Sequence, residues 1–246
     1  MKKKNVLLLV NQLHGGGAQK VIANLSIYLS DHYNVTLAIY NDTDKVVFEH
    51  KGELVKLELP YAEDTHSNPL HKRVLRSFSL LRQIRKLKKT RNIDATISFL
   101  EASNIINILT KQKGKTIISV RSYLSNEFAD IPRLKVFGTF IKLLYKRADH
   151  IVVPANLLKL DLVDNFDVPE KKVSLIYNFT DFNKAEVLKN APLPVHHNKI
   201  FGGGPVIINV GRINYPKAQW LQPTILADVR QSIPGAKLVI LGDGQL

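Results

Sequence analysis

The chain has 246 residues, of which 45% are hydrophobic and 23% charged, which is typical of a globular protein and not of a disordered or fibrous one. It contains no cysteine, which excludes disulfides and thiolate metal sites. The net charge of +14 favours a polyanionic partner, and charge alone leaves nucleic acid, an anionic membrane face and a phosphorylated substrate open.

The N-terminus starts Met1-Lys2-Lys3-Lys4, like the charged beginning of a signal peptide. The apolar run that follows, residues 6–10, is too short for the hydrophobic part of such a peptide. No stretch approaches the roughly 20 apolar residues that a membrane-spanning helix needs. We therefore expect a cytoplasmic protein that meets a membrane, if at all, peripherally at the inner face of the plasma membrane.

Apolar runs of strand length alternate with segments of helical periodicity along most of the chain. The first predicted strand is followed by apolar residues at helical spacing between 18 and 29. The predicted strands are 6–10, 35–40, 54–59, 95–99, 116–120, 151–153 and 173–177, and the later predicted helices are 70–91, 102–112, 133–147 and 155–166. This alternation predicts an α/β fold with a doubly wound, mainly parallel sheet.

The alternation is interrupted over 181–204, where polar residues, two prolines and three glycines are typical of an interdomain linker. A second βα pattern follows, with predicted strands at 206–210 and 237–241 around a predicted helix at 217–232. We therefore predict a first domain over 1–180, a linker over 181–204 and a second domain over 205–246. The second domain is expected to be incomplete, because one βαβ unit cannot bury both faces of a sheet.

Three consecutive glycines, Gly15, Gly16 and Gly17, lie between the first predicted strand and the first predicted helix. Glycines at such a junction let backbone N–H groups come close to a ligand, and the helix dipole favours an anion or a hydroxyl-rich group there. The segment matches neither the dinucleotide-binding fingerprint nor the Walker motif. A tight turn without any ligand explains the same glycines equally well.

A basic pair, Arg212 and Lys217, directly follows the predicted strand 206–210 in the segment "GRINYPK". An arginine and a lysine at the end of a strand suit a diphosphate, because one offers a bidentate fork and the other a compact charge. Two solvated charges in a surface loop are the alternative for this spacing. The final segment, "LGDGQL", is predicted to be a turn.

Together these segments resemble the retaining glycosyltransferases of the GT-B fold, in the large family four (glycosyl transferases group 1). The resemblance covers nearly the whole chain, and the segments that carry it are "GGGAQKVIANLSIYL", "SFLEASNIINIL", "ISVRSYLSNE", "LYKRADHIVVPANLLKLDLVDNFDVPEKKVSLIYNFTD", "VIINVGRINYPKAQW" and "IPGAKLVILGDGQL". It implies two Rossmann-like domains that face each other across a cleft. The first would bind the acceptor and the second a nucleotide diphosphate sugar.

The resemblance also implies roles for particular residues. Arg212 and Lys217 would be the catalytic residues, because they would neutralise the charge that develops on the departing diphosphate. Residues that contact donor or acceptor would be Gly15, Gly16, Gly17, Arg121, Glu127 and Gly211. The donor would be a UDP- or GDP-linked sugar used as co-substrate, with no cofactor and no metal. The acceptor would be a glycan or a lipid-linked glycan of surface polysaccharide biosynthesis.

Some features depart from the family pattern. The Glu-x7-Glu motif that contacts the sugar and the ribose would lie beyond Leu246. Arg121 occupies a position where many members carry a histidine, so the base-like role of that histidine does not carry over. Ala218 stands where a glycine is common, and Pro223 costs about 3 kcal/mol within the predicted helix unless it starts or kinks it. We therefore expect this chain alone to be inactive in sugar transfer.

Segment 71–91 contains nine lysines and arginines and no acidic residue. Each such charge contributes about 1 kcal/mol at an anionic leaflet, which favours a membrane surface as a partner. The alternative is the solvated face of a helix whose apolar side packs on the sheet. Two other functions stay open: a truncated, inactive remnant that binds a membrane or an acceptor, and a nucleic-acid-binding protein. The second is disfavoured because few aromatic residues accompany the basic runs.

Overall fold

The computed structural model describes residues 2–41, 44–61, 69–129, 132–179 and 182–244, and within them the side chains of 127–129, 132–137, 183, 184, 196 and 216 are outside the description. The chain divides into two compact units, Met1–Phe179 and Thr180–Leu246. The sequence prediction of a first domain, a linker and a second domain stays a prediction.

The described residues of the first unit form a seven-stranded parallel sheet. Its strands are β1 (Asn5–Leu9), β2 (Asn34–Ile39), β3 (Glu53–Lys56), β4 (Ala95–Phe99), β5 (Lys115–Ser119), β6 (His150–Val153) and β7 (Val173–Leu175). The order across the sheet is β3-β2-β1-β4-β5-β6-β7, and each neighbouring pair is parallel. The predicted α/β fold with a doubly wound parallel sheet is confirmed.

Helices cover both faces of this sheet. They are α1 (Gly17–Ser30), α2 (Leu70–Thr90), α3 (Glu101–Leu109), α4 (Leu124–Ala129), α5 (Pro132–Tyr145) and α6 (Asn156–Asp164). Successive residues of a strand point to opposite faces, so Leu8 joins an apolar cluster with Ile22 of α1 while Leu7 joins another with Ile84 of α2. Both faces of β1 are therefore buried, which explains its continuous apolar sequence.

One polar group in this packing is a buried lysine. Lys88 near the end of α2 is 5% exposed, and its Nζ donates hydrogen bonds to Asn107 Oδ1 at 2.8 Å and to the carbonyl oxygens of Asn107 and Thr110 at 3.1 and 3.4 Å. Burial lowers the pKa of Lys88 to about 7, because the ammonium loses hydration. Lys88 therefore ties α2 to the last turn of α3 and is not one of the solvated charges of segment 71–91.

The second unit contains a two-stranded parallel sheet. Its described elements are α7 (Phe182–Lys189), α8 (Asn198–Phe201), β8 (Val206–Val210), α9 (Gln222–Ser232) and β9 (Lys237–Leu241). Helices α7 and α8 lie in the segment predicted to be a linker. Val210 in β8 is 75% exposed, although parallel strands normally bury their apolar side chains.

The predicted helix over 217–232 is wrong at its start. Short 3₁₀ turns occupy residues 215–221, and α9 begins only at Gln222. Ala218 interrupts the helical path with φ 50° and ψ 35°, which is left-handed backbone. Pro223 consequently lies in the first turn of α9. Backbone N–H groups of a first turn have no acceptor within the helix, so the N–H that proline lacks costs no hydrogen bond there. The proline starts the helix and does not kink it.

Candidate active site

The order of the strands defines where a ligand site is expected in the first unit. β1 and β4 are neighbours in the sheet, and from them the chain proceeds toward opposite edges, to β3 and to β7. In open α/β sheets ligands bind beyond the carboxyl ends of the strands at such a switch point. The three glycines follow β1, Glu101 follows β4 and Arg121 follows β5. The structure therefore brings the predicted glycines and Arg121 to one edge of the sheet, together with Glu101.

The three glycines differ in how strongly the fold requires them. Gly15 has φ 74°, a left-handed conformation that favours glycine. A Cβ on Gly16 would lie 2.2 Å from Gln19 Oε1, so a side chain there would displace the Gln19 amide. A Cβ on Gly17, the first residue of α1, would meet no described atom within 4 Å. The described residues therefore give no structural reason for Gly17 to lack a side chain.

The start of α1 is open in the described part of the chain. Gly16 is the N-cap, and no described side chain hydrogen-bonds to the first backbone N–H groups. Gln19 turns instead toward the end of β1, where its Nε2 donates to Asn11 Oδ1 at 3.4 Å. The positive end of the helix dipole is thus available to an anion or a hydroxyl group.

The junction of β4 and α3 contains a strained residue that sequence reasoning missed. Leu100 has φ 73° and ψ 153°, which an L-amino acid rarely adopts. Such strain persists where the surrounding structure imposes it, and it is common at functional sites. Glu101 follows directly as the first residue of α3 and accepts a hydrogen bond from Ser122 Oγ at 2.9 Å. No sequence signal marked Leu100, since leucine is ordinary in a strand or a helix.

Arg121 lies just beyond the end of β5 and is partly buried. Its Nε donates to Ser119 Oγ at 2.8 Å, its Nη1 donates to Asn178 Oδ1, and the guanidinium carbon lies 4.4 Å from the centre of the Phe99 ring. Burial lowers the pKa of Arg121 to about 10, so that it stays protonated at neutral pH. Glu127 belongs to α4, and its side chain lies outside the description.

In the second unit the predicted basic pair follows β8. Arg212 lies two residues after the strand, and Lys217 ends the short turn Tyr215–Lys217. Both side chains are exposed. Gln219 is buried and donates from Nε2 to the carbonyl oxygen of Arg212 at 2.9 Å, which holds the loop after β8 in a closed shape. The structure thus presents both cations on one loop at the carboxyl end of β8.

The glycines of "LGDGQL" have a structural function that the sequence did not reveal. A Cβ on Gly242 would lie 1.9 Å from the carbonyl oxygen of Gly211, and a Cβ on Gly244 would lie 1.8 Å from that of Ile213. The chain after β9 therefore runs directly against the loop that follows β8. Gly211 itself resembles Gly17, because a Cβ there would meet no described atom within 4 Å.

The left-handed conformation of Ala218 explains why a glycine is common at this position in the family. Glycine adopts φ near 50° without steric cost, while alanine does not, so glycine is the favoured residue at this position. The turn is further held by Tyr215 and Trp220, whose rings stack with centroids 4.8 Å apart. The loop that presents Arg212 and Lys217 is therefore defined by local contacts within the second unit.

These features define an α/β protein of the Rossmann-like class whose candidate sites lie at the carboxyl ends of parallel strands. No group of three or more His, Asp or Glu side chains among the described residues could hold a metal ion. No helix in the described ranges is long and apolar enough to cross a membrane. Residues 15–184 match the family model of Glycosyltransferase Family 4, and the chain belongs to this family.

Two curated relatives extend the match. An uncharacterised glycosyltransferase of Methanocaldococcus jannaschii is 30% identical over 205 residues, which cover 80% of this chain and 50% of the relative. The N-acetylgalactosamine-N,N'-diacetylbacillosaminyl-diphospho-undecaprenol 4-alpha-N-acetylgalactosaminyltransferase of Campylobacter jejuni is 28% identical over 251 residues, covering 97% of this chain and 62% of the relative. The chain thus spans between half and about two thirds of the length of these relatives.

Solved structures show the same fold at low sequence identity. Sucrose-phosphate synthase from Thermosynechococcus elongatus matches with a TM-score of 0.66 and 14% identity, over 98% of this chain and 62% of that chain. Anabaena HepE, crystallised with UDP and glucose, matches with a TM-score of 0.65 and 12% identity. The match covers 98% of this chain and 61% of the HepE chain. The predicted GT-B type of fold is confirmed.

Proposed function

We propose that this chain belongs to a glycosyltransferase that moves a sugar from a nucleotide diphosphate sugar to a glycan or lipid-linked acceptor, in surface polysaccharide biosynthesis. The observation that carries the proposal is the family match over residues 15–184, which includes the three glycines, Arg121 and Glu127. The strained, glycine-lined switch point of the first unit supports it. The transferred sugar keeps its anomeric configuration, as the sequence resemblance implies.

The donor is a UDP- or GDP-linked sugar, bound by the loop after β8. Arg212 and Lys217 neutralise the diphosphate as the glycosidic bond to it breaks, and their cationic side chains do so without a metal ion. Gly211 lets the diphosphate approach the backbone, since the space where its Cβ would lie is empty of described atoms. HepE, which has a similar fold, was crystallised with UDP and glucose, and this supports a uridine nucleotide.

The acceptor binds the first unit at the switch point. Gly15, Gly16 and Gly17 admit it to the open start of α1, and Arg121 contacts it from beyond β5. Glu127 of α4 contributes to the acceptor site as the sequence resemblance implies. The name of the Campylobacter relative describes an acceptor carried on diphospho-undecaprenol. This supports a lipid-linked acceptor in preference to a free glycan.

Isothermal titration with UDP- and GDP-sugars tests the donor part of the proposal. We expect one nucleotide class to bind the wild-type chain and the Arg212→Met/Lys217→Met variant to bind it at least tenfold more weakly, because two of the charges that face the diphosphate are lost. Arg230→Met, on α9 of the same unit, is the control for a lowered net charge. Equal affinity of wild type and double variant for every donor overturns the proposal.

A second partner, an anionic membrane surface, is favoured by the outer face of α2. The residues of this face recur at spacings of three and four and are all exposed: Leu75, Phe78, Arg82, Lys86 and Lys89. On the opposite side of the helix Leu80 and Ile84 pack against the sheet, and Lys88 is buried against the end of α3. The outer α2 face is thus apolar in its first half and basic in its second half.

This arrangement suits peripheral attachment to a bilayer. Phe78 is 64% exposed and can enter the interface, while the three cations that follow contribute about 1 kcal/mol each at an anionic leaflet. Fewer cations can reach a membrane than the nine that segment 71–91 contains, because Lys88 is buried and Arg91 is paired with Glu53. We propose that the protein is cytoplasmic and attaches at the inner face of the plasma membrane through this face.

Sedimentation with vesicles tests the membrane surface. We expect binding to vesicles that contain phosphatidylglycerol, weaker binding to pure phosphatidylcholine, and loss of most binding in Leu75→Ser/Phe78→Ser. Leu157→Ser, which changes a leucine on α6 that is 68% exposed against 51% for Leu75, is the control and should bind like the wild type. Binding of the double variant at the wild-type level overturns this partner. Membrane binding without affinity for any nucleotide sugar would instead favour the inactive, membrane-binding remnant.

A further inference from the structure

Arg121 is a partly buried cation with neutral neighbours. Its contacts are the hydroxyl of Ser119, the amide oxygen of Asn178 and the ring of Phe99, and among the described residues no carboxylate pairs with it. By contrast Arg91, at the amino end of the same sheet, forms a two-pronged ion pair with Glu53. A cation that is partly withdrawn from water without a counter-charge is costly, so its retention calls for an explanation.

The hydrogen-bond inventory of Arg121 shows what it can still bind. A guanidinium group has five N–H donors. The bond to Ser119 uses the Nε donor and the bond to Asn178 uses one Nη1 donor, which leaves one N–H on Nη1 and two on Nη2 without a described acceptor. These remaining donors lie in one plane on neighbouring nitrogens. That geometry matches two oxygens of a phosphate group.

The position of Arg121 places this capacity at the ligand-binding edge. It follows β5, which pairs with β4, the strand that precedes the strained Leu100. Its contact with Phe99 at the end of β4 and its bond to Asn178 beyond β7 hold the guanidinium in place. The charge is therefore preorganised at the carboxyl edge and has little side-chain entropy left to lose on binding.

We infer that Arg121 is an anion subsite that binds a phosphoryl group of the acceptor substrate through a bidentate contact. The inference rests on the proposed function and adds the chemical class of the acceptor: a phosphate or diphosphate ester. The contact positions the acceptor and takes no part in bond breaking. A purely structural function, in which Arg121 only connects β5 to the end of β7, is the competing explanation.

Calorimetric titration with inorganic pyrophosphate at low salt separates the two explanations. The parent protein carries Arg212→Met/Lys217→Met, so that the second unit does not contribute binding. In this parent we expect Arg121→Met to raise the pyrophosphate Kd at least tenfold and Arg121→Lys to raise it less, because lysine keeps the charge and loses the fork. Arg91→Met removes the same unit of charge from the ion-paired arginine and should change the Kd less than twofold.

Circular dichroism and thermal unfolding establish that each variant is folded. If Arg121→Met does not fold, Arg121→Lys provides the test of pyrophosphate affinity. Equal pyrophosphate affinity of the parent and both Arg121 variants overturns the inference, as does an equal loss in Arg91→Met.

Glucose 1-phosphate and farnesyl diphosphate as second ligands distinguish a soluble sugar phosphate from an isoprenoid-linked acceptor. Loss of nucleotide-sugar binding in Arg121→Met with Arg212 and Lys217 intact would assign the residue to the donor and overturn the inference. Failure of the proposed function appears separately, in the Arg212 and Lys217 titration.

Discussion

Gly17→Ala is the substitution that best separates a structural from a functional glycine. Gly17 has no left-handed φ, and a Cβ on it would meet no described atom within 4 Å. A glycine-to-alanine change at a compatible position stabilises a protein by about 0.4–1 kcal/mol, because the unfolded chain loses conformational freedom. For a chain of this size that corresponds to an increase in Tm of about 1–4 °C.

The same methyl group should obstruct a ligand. If a phosphate or sugar group lies against the backbone at the start of α1, the added Cβ forces it away, and we expect at least tenfold weaker binding, about 1.4 kcal/mol. Thermal unfolding of the chain, and titration of the Arg212→Met/Lys217→Met parent with pyrophosphate and with glucose 1-phosphate, provide the two readouts. The predicted result is therefore a more stable protein that binds more weakly.

Gly15→Ala is the matched control. Gly15 has φ 74°, so alanine there costs about 1 kcal/mol of stability and lowers Tm. Two results would refute the reasoning on Gly17. Higher stability with unchanged affinity for both ligands would show that no ligand approaches this glycine, and lower stability would show that the space beside it is filled.

Three further predictions follow from the geometry. Ala218→Gly should raise the unfolding free energy of the second unit by about 1 kcal/mol in a denaturant titration, since it relieves a left-handed alanine, and no increase would contradict the assigned φ of 50°. Gly242→Ala should destabilise that unit, because its Cβ would collide with backbone at 1.9 Å; a neutral effect on Tm would contradict the close approach. The pKa of Lys88 is lowered from its ordinary 10.5 to about 7, so between these values the unfolded state holds a proton that the folded state has released. Stability should therefore rise with pH from about 7 to 10 in the wild type and stay flat in Lys88→Met, and parallel pH profiles would refute the assignment.

The position of the glycines illustrates how far the sequence could predict the candidate site. The glycines after β1 and the basic residues after β8 were recognised because a strand, a glycine and a helix follow one another within a few residues. Arg121 was identified only through its resemblance to a family segment. That no described carboxylate pairs with it could not be predicted from the sequence, because Phe99 and Asn178, which contact it, are separated from it by 22 and 57 residues.

Local backbone conformation was the main source of error. The helical periodicity of 217–232 predicts one helix, and Pro223 conflicts with a helix over this whole range. In the structure the turn at Ala218 separates Lys217 from α9, and the proline stands where a helix accepts it. An alanine does not by itself indicate a positive φ, although the glycine that is common at this position in the family is consistent with one.

The sequence by itself determined the class of the fold, since strands buried on both faces must be apolar throughout and the helices between them must be periodic. It also determined the family, through the order of its segments. Only the tertiary structure decided the order β3-β2-β1-β4-β5-β6-β7, and with it the switch point where the glycines and Leu100 meet. The physical reason is that periodicity records which face of an element is buried. The choice of neighbouring strand depends on contacts between residues far apart in the chain.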